Sequence, residues 1–137
     1  ITVSYYSLIS KVDHMPSAVL PLPAKWVNVY DIKKMAFDHK EILDAALDRL
    51  RKRVRYIPIG FNLLDPEFTL SQLQNLYESI LNQTLDKRNF RKKITAMDFL
   101  TDCHKFQQEV AHRPAKLYKF DIEKYHALEA SGFVFEL

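Results

Sequence analysis

Two helical patterns separated by only four residues constrain the fold of this chain more than any other feature. The first, FTLSQLQNLYESIL, opens with Thr69 and Gln72 as a T-x-x-Q capping box and continues with apolar residues at helical spacing. After the connection NQTL, the segment DKRNFRKKITAMDFL starts at Asp86, a residue type favoured at a helix N-cap. The spacing predicts a helix of about three turns, a tight turn and a second helix from Asp86 to Leu100. The predicted inward stripe of this second helix consists of Phe90, Ile94, Met97 and Leu100.

The second predicted helix is strongly basic. The whole chain of 137 residues carries a net charge of only +3, so the position of its cations is more informative than their number. No Lys or Arg occurs from residue 56 to residue 85, whereas residues 86–93 contain five cations and one carboxylate, Asp86. The five cations are Lys87, Arg88, Arg91, Lys92 and Lys93.

The residue types around Phe90 are suited to DNA contacts. Arginine donates two hydrogen bonds to the O6 and N7 atoms of guanine, asparagine pairs similarly with adenine, and lysine neutralises phosphates. If Phe90 points into the protein, its charged neighbours point outward. We predict base contacts from Arg88, Asn89 and either Arg91 or Lys92, and backbone contacts from Lys87 and Lys93.

The segment that follows predicts a β-hairpin and a last helix. In AKLYKF, Leu117 and Lys119 alternate with Lys116, Tyr118 and Phe120, as along a strand. The hairpin tip is expected before His112. A helix from Ile122 to Ala130 would end at Gly132, a suitable left-handed C-cap. Helix, short turn, basic helix and hairpin is the order of a winged helix-turn-helix, in which the second helix enters the DNA major groove. The hairpin, or wing, adds Arg113 and Lys116 as candidates for phosphate or minor-groove contacts.

The first part of the chain predicts a different kind of domain. Residues 1–9 and the segment AKWVNVYDI are rich in β-branched and aromatic residues and are predicted as strands. The segment AFDHKEILDAALDRLRKRV follows as a helix with a capping-box-like start at Asp38 and Glu41. Pro58, Gly60 and Pro66 then mark a boundary. The fold class is therefore α+β, with residues 1–55 as the remnant of an α/β domain and residues 56–137 as the winged helix-turn-helix domain.

Other functions have weaker support in the sequence. Two glycines are few for an α/β enzyme with a phosphate-binding loop, and no catalytic set assembles, so neither an enzyme nor a cofactor is predicted. Cys103, His104 and His112 are one ligand short of a structural zinc site. The single cysteine and the lack of an apolar run of about 20 residues indicate a cytoplasmic protein without a membrane segment. The basic helix also fits a solvated face or a protein-interaction module.

The motifs FTLSQLQ, DKRNFRKK and RPAKLY, in this order, resemble the Nudix-related transcriptional regulators of bacteria. Those proteins have an N-terminal Nudix-like sensor domain and a C-terminal winged helix-turn-helix. The combination FNLL, FTLSQLQ, DKRNFRK and LYKF is most similar to the arabinose-responsive regulators of Bacteroidetes, which act in carbohydrate metabolism. The resemblance covers nearly the whole chain.

The resemblance implies a repressor that binds palindromic operator DNA as a homodimer and is released by a small effector. The effector would be an arabinose-like sugar or ADP-ribose, bound by a sensor domain of which residues 1–55 form only the C-terminal part. The metal-binding Nudix signature is absent. Its glutamate would lie six residues after the glycine, but Pro66 occupies that position after Gly60. The alternative is a fragment of a Nudix pyrophosphohydrolase with an appended winged-helix interaction module.

Overall fold

The computed structural model describes residues 3–9, 25–108, 110–111 and 113–136. The chain divides into two compact units, Ile1–Arg49 and Leu50–Leu137. The first unit contains a 3-10 turn, Val29–Asp31, and most of helix α1, His39–Arg53. The second unit contains, in chain order, a 3-10 turn Phe61–Leu63, α2 Leu70–Leu81, α3 Lys87–Ala96, β1 Leu100–Phe106, β2 Lys116–Phe120 and α4 Ile122–Ala130.

Helix α2 begins and ends where its sequence signals lie. The Gln72 N–H donates to the Thr69 hydroxyl at 3.1 Å, and the Thr69 N–H donates to Gln72 Oε1 at 2.8 Å, which confirms the predicted capping box. The helix ends at Asn82, whose φ of 53° is left-handed and whose N–H donates to the Glu78 carbonyl. Asparagine tolerates this conformation because its short side chain hydrogen-bonds locally.

Helix α3 starts as predicted and ends earlier. The Asp86 carboxylate accepts a hydrogen bond from the Asn89 N–H at 2.8 Å, which confirms Asp86 as the N-cap. The predicted end at Leu100 is wrong, because the helix stops at Ala96 and Asp98 adopts a φ of 55°. This turn directs Phe99 into the core with no exposed surface, and Leu100 becomes the first residue of β1. The prediction was wrong because Met97 and Leu100 continue the apolar helical spacing, although Met97 is the C-cap of α3 and Leu100 belongs to β1.

The predicted hairpin is confirmed as an antiparallel pair of β1 and β2, with Leu100 opposite Phe120 and Phe106 opposite Lys116. Between Asp102 and Phe106 the register shifts, and His104 lies in this bulge with a left-handed φ of 53°. Phe68, just before α2, adds a single bridge to Tyr118 through two backbone hydrogen bonds of 2.8 and 2.9 Å. The wing is thereby tied directly to the start of α2.

The core of the second unit is largely aromatic. The Phe99 ring lies within 5.6 to 6.4 Å of five other rings, measured between centroids. The predicted helix α4 is confirmed, and Gly132 follows it with a φ of 91°, a conformation that favours glycine. The buried apolar cluster also contains Val54 from the residues just after α1. The rings around Phe99 are Phe61, Phe120, Tyr125, Phe133 and Phe135.

The prediction of two strands in the first unit is wrong for the described residues. Residues 3–9 form no strand, and AKWVNVYDI contains a 3-10 turn in which the Asn28 side chain accepts from the Tyr30 N–H. Residues 1, 2 and 24 of these segments lie outside the described residues. A strand exists only where its backbone pairs with a neighbour, and no strand pairing joins residues 3–9 or 25–32 to another described residue. The predicted helix at residues 38–54 is confirmed as α1.

Candidate nucleic-acid interface

Helix α3 has one buried side and one charged side. Phe90 is 4% exposed and Ile94 is fully buried, and these two residues lie one turn apart on the same face. The predicted inward stripe is therefore confirmed for its helical part. Six polar or charged residues of the helix are exposed, namely Lys87, Arg88, Asn89, Lys92, Lys93 and Thr95.

The rotation of α3 sets which of these side chains point farthest outward. Successive residues turn by about 100° around a helix. With the inward direction fixed between Phe90 and Ile94, Arg88 and Lys92 lie on the opposite face. Asn89 and Lys93 lie on one flank, where together with Leu85, Asp86 and Phe90 they line a surface depression of about 250 Å³.

Arg91 lies against its own protein. Its Nη2 donates to the Ser71 hydroxyl of α2 at 3.0 Å, and its Nε atom is buried without a hydrogen-bond partner in the described structure. The side chain is only partly exposed. The guanidinium of Arg91 thus joins the two helices, in contrast to the outward cations of the same helix.

A polar clamp that the sequence did not reveal fixes the turn between α2 and α3. The Glu78 carboxylate accepts from the Leu85 N–H at 2.8 Å, and the Gln74 amide donates to the Leu85 carbonyl at 3.0 Å. The same Gln74 amide donates to Glu78 at 3.0 Å. Both backbone groups of Leu85 are therefore bonded, which holds the turn in one conformation. Gln74 is 9% exposed. In the sequence, the only signal of this clamp is a glutamine that lies within the apolar stripe of α2.

Glu78→Gln should reduce the pH dependence of stability. The Leu85 N–H, followed by the Gln74 amide, holds the pKa of Glu78 below its ordinary value of 4.5. A lowered folded-state pKa contributes stability above the unfolded pKa, and this contribution is lost as pH falls through the folded-state value. The difference in unfolding free energy between wild type and variant should be larger at neutral pH than at about pH 3, measured by urea titration. Glu123→Gln, at an exposed position of α4, is the control, and equal losses in both variants would contradict the clamp.

The wing carries paired cations. Lys116 Nζ lies 3.0 Å from Asp102 Oδ2, and Lys105 Nζ lies 2.6 Å from Glu67 Oε1. Asp102 also accepts the backbone N–H of His104 at 2.8 Å, which stabilises the bulge. The His104 N–H, followed by the Lys116 ammonium, lowers the pKa of Asp102, and hydrogen bonding to Asp102 raises the pKa of Lys116. Arg113, the other predicted wing residue, is exposed.

Other kinds of site find little support. Within residues 3–9, 25–108, 110–111 and 113–136, no group of three His, Cys, Asp or Glu side chains is placed to hold a metal ion. Cys103 is a free, partly exposed thiol. In the same described part of the chain, no helix combines the length and the apolar character needed to cross a membrane.

Comparison with known proteins finds similarity to DNA-binding regulators. Residues 60–120 match the NrtR DNA-binding winged helix domain. The chain is 34% identical over 128 residues, 91% of its length, to the ADPR responsive transcriptional repressor NtrR of Acinetobacter baylyi. It covers 50% of that protein, so it spans about half the length of this curated relative.

Two solved structures of Shewanella oneidensis NrtR have a similar fold. The one complexed with a 27mer DNA has a TM-score of 0.58 and 27% identity, over 79% of this chain and 46% of that chain. The other has a TM-score of 0.52 and 30% identity, over 64% of this chain and 39% of that chain. These names agree with the prediction of a DNA-binding regulator, and the predicted winged helix fold is confirmed. The segment at residues 60–120 is therefore similar to the NrtR DNA-binding winged helix domain in sequence and in fold.

Proposed function

We propose that this chain is part of a transcriptional repressor whose α3 reads double-stranded operator DNA in the major groove. The observation that carries the proposal is the two-sided helix: Phe90 and Ile94 are buried, while every cation of α3 except Arg91 is exposed. A winged helix places its second helix in the groove by its N-terminal part. That part of α3 carries Lys87, Arg88 and Asn89.

The geometry of α3 favours particular roles for its residues. Arg88 and Lys92, opposite the buried face, are the proposed contacts to base edges, together with Asn89 on the flank. Lys87 and Lys93 are the proposed phosphate contacts. Arg91 was an alternative to Lys92 as a base contact, but its bond to Ser71 favours a positioning role. By linking α2 to α3, it would fix the angle at which the recognition helix meets the groove.

Arg113 and Lys116 of the wing are proposed to contact phosphates or the minor groove. Both residues are exposed, but Lys116 already pairs with Asp102, so a phosphate must compete with that carboxylate. Because the pair is exposed, it is weak and gives way to a polyanion at little cost. We therefore propose that Lys116 contacts a phosphate and that competition from Asp102 weakens this contact.

Asp102→Asn should increase DNA affinity. The substitution frees Lys116 and removes a negative charge from the wing, while the amide oxygen can still accept the His104 N–H. Binding titrations at several salt concentrations should show tighter binding to all duplexes alike and a salt slope steeper by about one unit. Asp65→Asn removes an equal, exposed charge elsewhere. An increase no greater than that of Asp65→Asn would show that Lys116 does not reach the duplex.

The longer protein is proposed to be a homodimer with an effector-sensing domain to which residues 1–55 contribute. The name of the Acinetobacter relative favours ADP-ribose over an arabinose-like sugar as the effector. A two-fold dimer would present two copies of α3 to the halves of a palindromic operator. A cytoplasmic location is proposed with this function.

Selection of bound sequences from random double-stranded DNA tests the proposed function most directly. The expected result is a defined consensus, palindromic when the full-length dimer is used. The consensus duplex should then bind far more tightly than a scrambled duplex at the same salt concentration, since base contacts add specificity to phosphate contacts. Recovery of no preferred sequence, with equal binding to both duplexes, would refute sequence-specific regulation.

A further inference from the structure

A second basic run lies outside the recognition helix. The segment RLRKRVR at residues 49–55 holds five cations, and no Asp or Glu follows it before Asp65. It covers the end of α1 and the residues just beyond. The proposed function assigns no role to these cations, which are Arg49, Arg51, Lys52, Arg53 and Arg55.

Two of these cations are fixed to the winged helix unit. Val54 has no exposed surface and belongs to the core of that unit, while its neighbours Arg53 and Arg55 are exposed. The Arg53 carbonyl accepts the N–H groups of Tyr56 at 3.0 Å and Ile57 at 2.9 Å, which closes the helix end. No hydrogen bond or ion pair engages either guanidinium within the described part of the chain. Both charges therefore project from an anchored backbone into solvent.

Helix stability does not account for this run. Cations at a helix C-terminus interact favourably with the helix dipole, and one or two suffice for that effect. Arg49 and Arg53, however, lie four residues apart on one helix, where like charges are destabilising. Arg55 lies beyond the last helical residue. The favourable dipole effect and the like-charge repulsion are both small, whereas a neighbouring anion would interact favourably with each of these cations.

We propose that Arg53 and Arg55 form a second DNA-contacting surface, which binds backbone phosphates outside the groove occupied by α3. This inference rests on the proposed function. A unit of 88 residues is about 30 Å across, and duplex on either side of the recognition site extends well beyond that distance. Because guanidinium groups bind phosphate oxygens in a bidentate manner, these residues suit a regularly spaced row of phosphates. Such contacts add affinity without sequence preference.

The salt dependence of DNA binding tests this surface. Arg53→Gln/Arg55→Gln removes two charges and keeps most of each side chain, so the slope of log affinity against log salt should fall by about 1.8. Arg53→Lys/Arg55→Lys should retain the wild-type slope because lysine also neutralises phosphates. The matched control is Lys33→Gln/Lys34→Gln, which removes two exposed charges from the first unit. Each variant is titrated with the selected consensus duplex extended by flanking DNA, after thermal melting has shown that it is folded.

Each result supports or refutes the surface. A reduced slope for the glutamine pair, with unchanged base preference and normal slopes for the lysine and control pairs, supports it. An unchanged slope for the glutamine pair, or an equal reduction in the control, refutes it while DNA binding itself stands. Failure of the wild-type chain to bind any duplex would refute the proposed function first. If the double variant does not fold, Arg55→Gln alone, beyond the helix end, should lower the slope by about 0.9, and no change would again refute the surface.

Discussion

Phe90→Ala is expected to lower the free energy of unfolding of the second unit by about 3 to 5 kcal/mol. Phe90 is 4% exposed, and its ring lies 6.0 Å from that of Tyr77 between centroids. Removing the ring loses its transfer free energy and leaves a cavity between α2 and α3 that the packed surroundings fill only in part. Since a domain of this size has a total stability of about 5 to 15 kcal/mol, the loss is a large fraction of it.

Urea or thermal unfolding of the whole chain measures this effect. Phe106→Ala is the matched control, because Phe106 belongs to the same unit but is 53% exposed, and it should cost far less. Phe90→Leu should cost an intermediate amount, since leucine retains much of the apolar volume. If Phe90→Ala and Phe106→Ala were equally stable, the side chain at position 90 would not anchor α3, and the outward direction of its neighbours would lose its physical basis.

The helices of the second unit were predictable because their signals are local. Thr69 with Gln72, Asp86 and Gly132 each act within one turn of the helix end that they define. Apolar spacing identified the buried face of α2 and of α3 for the same reason. It failed at Leu100, because the left-handed turn at Asp98 ends the helical period and nothing in the spacing marks that turn.

Composition wrongly predicted strands in the described residues of the first unit. Enrichment in β-branched and aromatic residues shows that a segment suits a half-buried pleated surface, but a strand also requires a partner. The wing hairpin has that partner within a few residues along the chain, whereas residues 3–9 and 25–32 pair as a strand with no other described residue. The identity of the first unit as part of a Nudix-like domain therefore remains a proposal.

At the site, residue types were predictable and side-chain contacts were not. The cations of α3 follow directly from DKRNFRKK once Phe90 points inward. The sequence did not show that Arg91 bonds to Ser71, 20 residues away, or that Gln74 and Glu78 hold Leu85. Such contacts depend on how two helices cross, which local patterns do not specify. The basic composition of residues 49–55 likewise does not show that Val54 is buried while Arg53 and Arg55 are exposed.

Arg88→Ala is expected to change which operator sequences are bound. Arg88 is exposed on the face of α3 opposite Phe90 and near the helix start, so it is placed to donate two hydrogen bonds to a guanine. Its loss should cost about 1 to 3 kcal/mol on the consensus duplex and relax the preference at one base-pair position of each half-site. Affinity for scrambled DNA should fall much less, because phosphate contacts dominate nonspecific binding.

The comparison with Lys93→Ala separates base contacts from phosphate contacts. The lysine variant should weaken binding to every sequence alike and flatten the salt slope by about one unit, with the base preference intact. Asn89→Ala should behave like Arg88→Ala but relax a different, adenine-containing position. Selection from random DNA with each variant measures the base preference, and binding titrations at several salt concentrations measure the affinity and the salt slope. If base preference were unchanged in both the Arg88 and the Asn89 variants, α3 would hold the duplex without reading it, and specificity would have to arise from the wing or from DNA shape.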